Sequence, residues 1–98
     1  MTKIKIIIDY QVKSFKGLFY KCECIESTNF KKFHRNNIID MEGMFQGCSS
    51  LKELNLSNFN TNNVTNMSCM FCGCSSLKEL NLNNFNTNNV TYNSYLLH

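Results

Sequence analysis

The chain has 98 residues, ten Lys or Arg against seven Asp or Glu, a formal net charge of +3, and no proline. This length fits a single domain, and the absence of proline leaves no marked linker that would divide it. Sixteen residues are asparagine, a bias that would suggest disorder in an aperiodic chain, but here most of them recur at a fixed interval. We therefore expect turn and capping roles for asparagine, and we treat residues 1–98 as one domain.

The N-terminal segment is basic and apolar but short. Its apolar run in residues 1–10 is about five residues long and is interrupted by Asp9, whereas a secretory signal needs a core of about 7–15 residues. Residues 1–35 carry a net charge of +5, and residues 36–98 carry −2. A basic end can bind nucleic acid or an anionic membrane, but we interpret it as a solvated capping repeat. No nucleic-acid partner, membrane insertion, signal peptide, lipid anchor or transmembrane segment is expected.

A 26-residue repeat organises the chain. Residues 51–65 return as residues 77–91 with one difference in fifteen positions, and residues 37–50 align with residues 63–76. In the N-terminal third, apolar residues still recur at the 26-residue spacing, but the polar residues between them differ from those of the later repeats. A fixed period between 20 and 50 residues predicts a solenoid. The four repeats are residues 1–24 (degenerate), 25–50, 51–76 and 77–98 (truncated).

Each repeat is predicted to begin with a short strand. Leu51, Leu54 and Leu56 follow the pattern L-x-x-L-x-L, and the alternation through residues 54–57 predicts inward leucines. Phe59 follows at a bend, and the polar residues 60–63 predict a turn.

A short helix is predicted to follow the turn. Apolar residues with spacings of 3, 1 and 3 are typical of one helix face, and Thr65 or Asn66 is placed to cap the helix. Gly73 is placed to end it in a left-handed conformation. The residues of the predicted apolar face are Met67, Met70, Phe71 and Cys74. The predicted fold class is therefore an α/β repeat solenoid of leucine-rich-repeat-like coils, with a parallel sheet on one side and short helices on the other.

The repeat has the motif N-V-T-x-M-x-x-M-F-x-G-C-S-S-L-K-x-L-x-L-x-x-F-N-T, which spans residues 63–87. This motif resembles the leucine-rich repeats of the BspA-like surface protein family, in the 26-residue variant. The resemblance is strong over residues 37–91. Before residue 37, only the spacing of the apolar residues matches the family pattern. It implies a curved solenoid at the cell surface or in secreted proteins, used for adhesion and for binding host or matrix proteins, with no enzyme activity.

Three of the six cysteines share one repeat position. Cys22, Cys48 and Cys74 lie 26 residues apart, and we interpret them as a ladder of small buried thiols. Neighbouring thiols of such a ladder point in parallel, so the torsion that a disulfide requires is rarely reached.

The other notable cysteines form the motif C-x-x-C-x-C. Clusters of thiolates at Cys69, Cys72 and Cys74 are a candidate zinc or redox site, with Cys24 as a fourth ligand from another repeat. Cys74 is assigned to the core, however, and Cys69 and Cys72 to outward helix positions, where they are candidate reactive thiols. We therefore expect neither a metal nor a cofactor.

The outward positions of the strands are the candidate partner-binding face. Three columns are expected to cross the repeats between the inward leucines. Glu53 stacked near Glu79 is a like-charge pair that suits a basic partner, and Lys52 and Lys78 are placed to offset it. The columns are Ser27, Glu53 and Glu79; Asn29, Asn55 and Asn81; and Lys31, Ser57 and Asn83.

The favoured function is a non-catalytic scaffold for protein–protein or cell-surface recognition and adhesion. His34 and His98 are not arranged with a nucleophile, and no glycine-rich phosphate loop is present, so no enzyme activity is expected. The alternatives are a thiol- or metal-binding module that uses Cys69, Cys72 and Cys74, and a non-functional fragment of a longer array. The last repeat, with Leu96 and Leu97, is predicted to be uncapped and to allow end-to-end self-association.

Overall fold

Residues one repeat apart lie side by side in the computed structural model, which describes residues 6–8, 11–30 and 37–91. Strand β1 (Ser27–Asn29) pairs in parallel with strand β2 (Glu53–Asn55), with Thr28 opposite Leu54. Single parallel bridges also join Ser14 to Asp40 and Asp40 to Asn66. The sequence period of 26 is therefore also the offset between paired residues.

The predicted helices are absent from the described part of the chain, and the prediction of an α/β solenoid with a helical wall is wrong. The only strands there are β1 and β2. Residues 42–47 and 68–73, which fall in the predicted helical segments, form turns instead. The radius of gyration is 12.6 Å, close to the ~13 Å of a compact globule of 100 residues. No described segment is a helix long and apolar enough to cross a bilayer.

Left-handed backbone conformations explain why these segments do not form helices. An α-helix needs a φ near −63° at every residue. Each of the first three repeats instead has two residues with positive φ, four positions apart, at equivalent places in the repeat. The first set is Gly17 (62°), Gly43 (60°) and Cys69 (52°), and the second is Lys21 (55°), Gly47 (79°) and Gly73 (78°). Gly73 is left-handed as predicted, but it lies within a series of turns and ends no helix.

The turns use alternate backbone amides for local and inter-repeat bonds. In the third repeat, the amide of Met70 donates to the carbonyl of Met67 at 3.2 Å, and that of Cys72 to Cys69 at 3.2 Å. The carbonyls of Met70 and Cys72 accept in turn from the amides of Phe45 (2.9 Å) and Gly47 (2.8 Å) of the repeat before. The wall predicted to be helical is thus bonded across repeats through its backbone.

The core consists of the apolar residues that the repeat pattern places inward. Phe45 stacks between Phe19 (ring centroids 5.4 Å apart) and Phe71 (5.8 Å), and Phe30 meets Phe45 edge-on. Such aromatic pairs add about 0.5–1.5 kcal/mol beyond their buried area. The side chains that are fully enclosed around this stack come mostly from the second and third repeats. They are Phe15, Ile38, Met41, Met44, Cys48, Leu51, Thr61, Val64, Met67 and Met70.

Candidate functional site

The candidate strand face is present where β1 and β2 pair. Ser27 lies beside Glu53, and Asn29 beside Asn55, and all four residues are exposed. The residues between them are half-buried, and Leu54 packs against the core. The alternation of outward polar and inward residues predicted from the sequence is therefore confirmed in these two strands.

The same columns are less regular in the fourth repeat. Glu79, Asn81 and Asn83 are exposed, as is Ser57 in the third repeat, but residues 77–82 form no strand. Lys31 lies outside the described residues, as do residues 92–98, on which the predicted end-to-end association depends. The structure thus aligns Ser27 with Glu53 and Asn29 with Asn55, and it places the remaining described members of the columns at the surface.

Asparagines on this face shape the backbone that follows the strand. The amide of Ser57 and its hydroxyl both donate to Oδ1 of Asn55, at 3.0 and 2.7 Å. One repeat later, the amide of Asn83 donates to Oδ1 of Asn81 at 2.9 Å. The predicted turn role of asparagine is confirmed here, and it holds the polar column in one conformation.

The acidic part of the face is not neutralised by the lysine beside it. Nζ of Lys52 instead pairs with Oε1 of Glu26, one repeat earlier, at 3.5 Å. Both side chains are about two-thirds exposed, so the pair contributes little to stability. Glu53 therefore contributes an exposed negative charge to the strand face.

Asparagine and threonine also connect successive repeats, a role that the sequence reasoning missed. Nδ2 of Asn84 donates to the carbonyls of Leu56 and Phe59, both at 3.0 Å. The equivalent Asn58 donates to the carbonyl of Phe30 at 2.9 Å. The signal for this role was the recurrence of asparagine at positions 58 and 84, which the turn interpretation alone does not explain.

A second surface feature is a shallow groove of about 420 Å3 between the first two repeats. Its sides include Lys16 and Glu42, whose charged groups lie 3.7 Å apart, and the half-exposed ring of Tyr20. Gly17 and Gly43 also line it. Oε1 of Glu42 also accepts from Nδ2 of Asn66 at 2.9 Å, so this carboxylate already has two partners. The groove was not predicted from the sequence, because most of its residues occupy positions whose residue type changes from one repeat to the next.

The predicted ladder of buried cysteines is confirmed only in part: Cys48 is buried, whereas Cys22 and Cys74 are partly buried and pack against the core. The thiol of Cys48 donates to the carbonyl of Phe19, and that of Cys74 to the carbonyl of Phe45, each at 3.1 Å. Burial raises the pKa of Cys48 to about 11, and it also raises the pKa of Cys74. The thiols of Cys48 and Cys74 are therefore neutral packing groups at physiological pH.

The placement of Cys72 differs from the prediction. Cys72 was assigned to an outward helix position, but it is buried, because the segment turns at Cys69 instead of continuing as a helix. Its thiol is hydrogen-bonded to that of Cys69, which is half-buried. Burial, followed by this contact, raises the pKa of Cys72 to about 12. Nowhere in residues 6–8, 11–30 and 37–91 do three His, Cys, Asp or Glu side chains group as metal ligands would.

Comparison with known proteins places the chain in a family without assigning a chemistry. Neither the curated proteins nor the solved structures include a match to this sequence. A family model described as "Mycoplasma protein of unknown function, DUF285" matches residues 13–98, which is most of the chain. The chain therefore belongs to the DUF285 family.

Proposed function

We propose that this protein is a non-catalytic repeat scaffold that binds a protein partner through its strand face. The observation that carries the proposal is the register of β1 and β2, which places exposed polar side chains of successive repeats next to one another. Paired strands lie about 4.8 Å apart, so a partner meets a row of side chains at that spacing.

The rigidity of the face supports this function. Its inward residue Leu54 packs on the core, and Asn55 and Asn81 are held by bonds to the residues that follow them. A surface that is ordered before binding loses little conformational entropy when a partner docks.

The charge of the face favours a basic partner. Glu53 and Glu79 are exposed members of one column, and Lys52 is paired with Glu26. Complementary charge mainly raises the association rate and the selectivity for a partner, and its effect is weakened by salt.

The resemblance of residues 63–87 to the BspA-like repeats supports a role in recognition or adhesion at a cell surface. We extend the proposal to that setting, with a host or matrix protein as the partner class and a surface or secreted location for the chain. Membership of the DUF285 family neither adds to this role nor opposes it.

Charge reversal on the strand face tests the proposal. Laminin and type I collagen are immobilised, and binding of the wild-type chain is compared with that of Glu53→Lys/Glu79→Lys by surface plasmon resonance at low and physiological salt. We expect measurable wild-type binding that falls at least tenfold in the double variant. Glu23→Lys is the matched control, because Glu23 is exposed and lies four residues before β1. Equal binding by the double variant, or no binding by the wild type, would reject the proposal in this form.

A further inference from the structure

Cys69 and Cys72 lie at the two ends of one tight turn. The amide of Cys72 donates to the carbonyl of Cys69 at 3.2 Å, and the two thiols are in hydrogen-bond contact. A turn of this kind keeps its first and fourth Cα atoms within about 7 Å. The Cα separation of disulfides is about 4.4–6.8 Å, so the turn holds the two cysteines at a distance that a disulfide can span.

The direction of the thiols separates this pair from the cysteine ladder. The thiols of Cys48 and Cys74 donate to backbone carbonyls of the preceding repeat. The thiol of Cys72 instead contacts that of Cys69. Cys69 and Cys72 therefore meet within one turn, whereas the ladder cysteines lie one repeat apart.

The backbone of Cys69 gives a second, independent observation. Its φ is 52°, and the equivalent residues of the two earlier repeats are Gly17 and Gly43. A residue with a side chain is strained in this conformation, and glycine is not. Strained residues concentrate at functional sites, so the conformation of Cys69 points to a function for this turn.

We propose that Cys69 and Cys72 form a redox-active dithiol site that closes to an intra-turn disulfide by exchange with a low-molecular-weight disulfide. The thiolate of Cys69 attacks one sulfur of the reagent, and a mixed disulfide forms as the first reagent thiolate leaves and takes up a proton. Cys72 then loses its proton to solvent and attacks the Cys69 sulfur, which releases the second reagent thiolate. The two protein thiols are oxidised, and the reagent disulfide is reduced to two thiols.

The order of attack follows from accessibility. Cys69 is half-buried and reachable, whereas Cys72 is buried and its pKa is raised by that burial. The thiolate is the nucleophile in exchange, so Cys69 reacts first with a reagent from solution. Cys72 is positioned to resolve the mixed disulfide, because it already contacts the Cys69 sulfur.

The test uses the full chain with Cys24→Ser, which removes an exposed thiol that would couple two molecules. The protein is incubated with oxidised glutathione, unfolded in urea so that buried free thiols such as Cys48 also react, alkylated with N-ethylmaleimide and weighed by mass spectrometry. We expect two thiols to resist alkylation, a mass loss of about 2 Da before alkylation, and no retained glutathione. In Cys72→Ser we expect glutathione to remain attached at Cys69, because the resolving thiol is missing.

Cys74→Ser is the matched control, since Cys69, Cys72 and Cys74 lie in the same tryptic peptide. The disulfide must form in Cys74→Ser and be absent from Cys69→Ser and Cys72→Ser. A linkage that depends on Cys74, a stable glutathione adduct in the Cys24→Ser protein, or thiols that all remain free would each overturn the inference. None of these readouts uses the strand face, so the result is independent of the proposed partner binding.

Discussion

Gly73 lies directly against Gly47 of the preceding repeat: a Cβ added to Gly73 would be 3.3 Å from both the nitrogen and the Cα of Gly47. A Cβ added to Gly47 would in turn lie 3.3 Å from the Cα of Lys21. This column of close backbone contacts sets how near the turns of successive repeats can approach. It also permits the bond from the amide of Gly47 to the carbonyl of Cys72.

Replacing Gly73 by alanine is expected to destabilise the protein more than replacing Gly17. Both residues have a left-handed φ, so both substitutions add about 1–2 kcal/mol of backbone strain. Gly73→Ala also forces a methyl group against the Gly47 backbone, which costs about 1–3 kcal/mol more. At Gly17 the nearest atom is the Cβ of Tyr20 at 3.8 Å, an ordinary contact. Urea unfolding of the two variants measures the difference, and equal losses of stability would contradict the close contact.

Replacing Cys69 by glycine is expected to stabilise the protein by about 1 kcal/mol, because glycine adopts the left-handed conformation without strain. The measurement is the free energy of unfolding under reducing conditions. Cys69→Ala is the control, since alanine removes the thiol but keeps the strained Cβ, so it should not gain this stability. A glycine variant no more stable than the alanine variant would show that Cys69 is not strained. The expected gain means that a cysteine at this position sacrifices stability, as functional residues often do.

Thr61 and Asn86 form a buried link between the third and fourth repeats. The hydroxyl of Thr61 accepts from the amide of Asn86 at 2.8 Å and donates to its carbonyl at 3.2 Å. Thr61→Val removes both bonds at a site that is 1 % exposed, so we expect a loss of about 1–3 kcal/mol in the free energy of unfolding. Thr87→Val is the matched control, because Thr87 is the equivalent residue of the fourth repeat and is exposed. Similar effects of the two substitutions would rule out the link.

The sequence period predicted the neighbours of each residue but not the backbone conformation between them. Thr28 opposite Leu54 follows directly from the offset of 26. The spacing of Met67, Met70 and Phe71 also predicted burial, and all three are buried. The same spacing was interpreted as a helix, because a helix and a series of tight turns both bring every third or fourth residue to one side. Periodicity alone does not separate these two conformations.

Glycine positions can distinguish a series of tight turns from a helix, but they were misleading in this repeat. Glycines at positions 17, 43 and 47 mark left-handed residues, but Cys69 and Lys21 occupy equivalent positions without being glycine. The near-consensus repeat therefore showed one glycine where the backbone needs two left-handed residues. The strand face was predictable because alternation is a local property. The contact between Cys69 and Cys72 was not, since it depends on that unexpected turn.

The buried thiols make the free energy of unfolding fall at alkaline pH. The pKa of Cys48 rises from 9.0 to about 11 and that of Cys72 from 9.0 to about 12, chiefly because burial disfavours the thiolate. Both thiols are almost entirely neutral in the folded and unfolded states below about pH 8, since their unfolded pKa is 9.0, so they do not reduce stability there. Above that pH the unfolded chain releases these protons first, and the free energy of unfolding therefore falls progressively up to about pH 12.

Urea unfolding of the reduced protein between pH 7 and pH 11 checks this dependence. We expect the midpoint to stay constant up to about pH 8 and then to fall. Other groups also titrate in this range, so the matched comparison is between Cys48→Ser and Cys24→Ser. Serine keeps a hydroxyl able to donate to the Phe19 carbonyl at position 48 but does not ionise, so the fall should become shallower in Cys48→Ser. Cys24 is exposed, and Cys24→Ser should keep the wild-type slope. Parallel slopes in all three proteins would mean that ionisation of Cys48 does not limit alkaline stability.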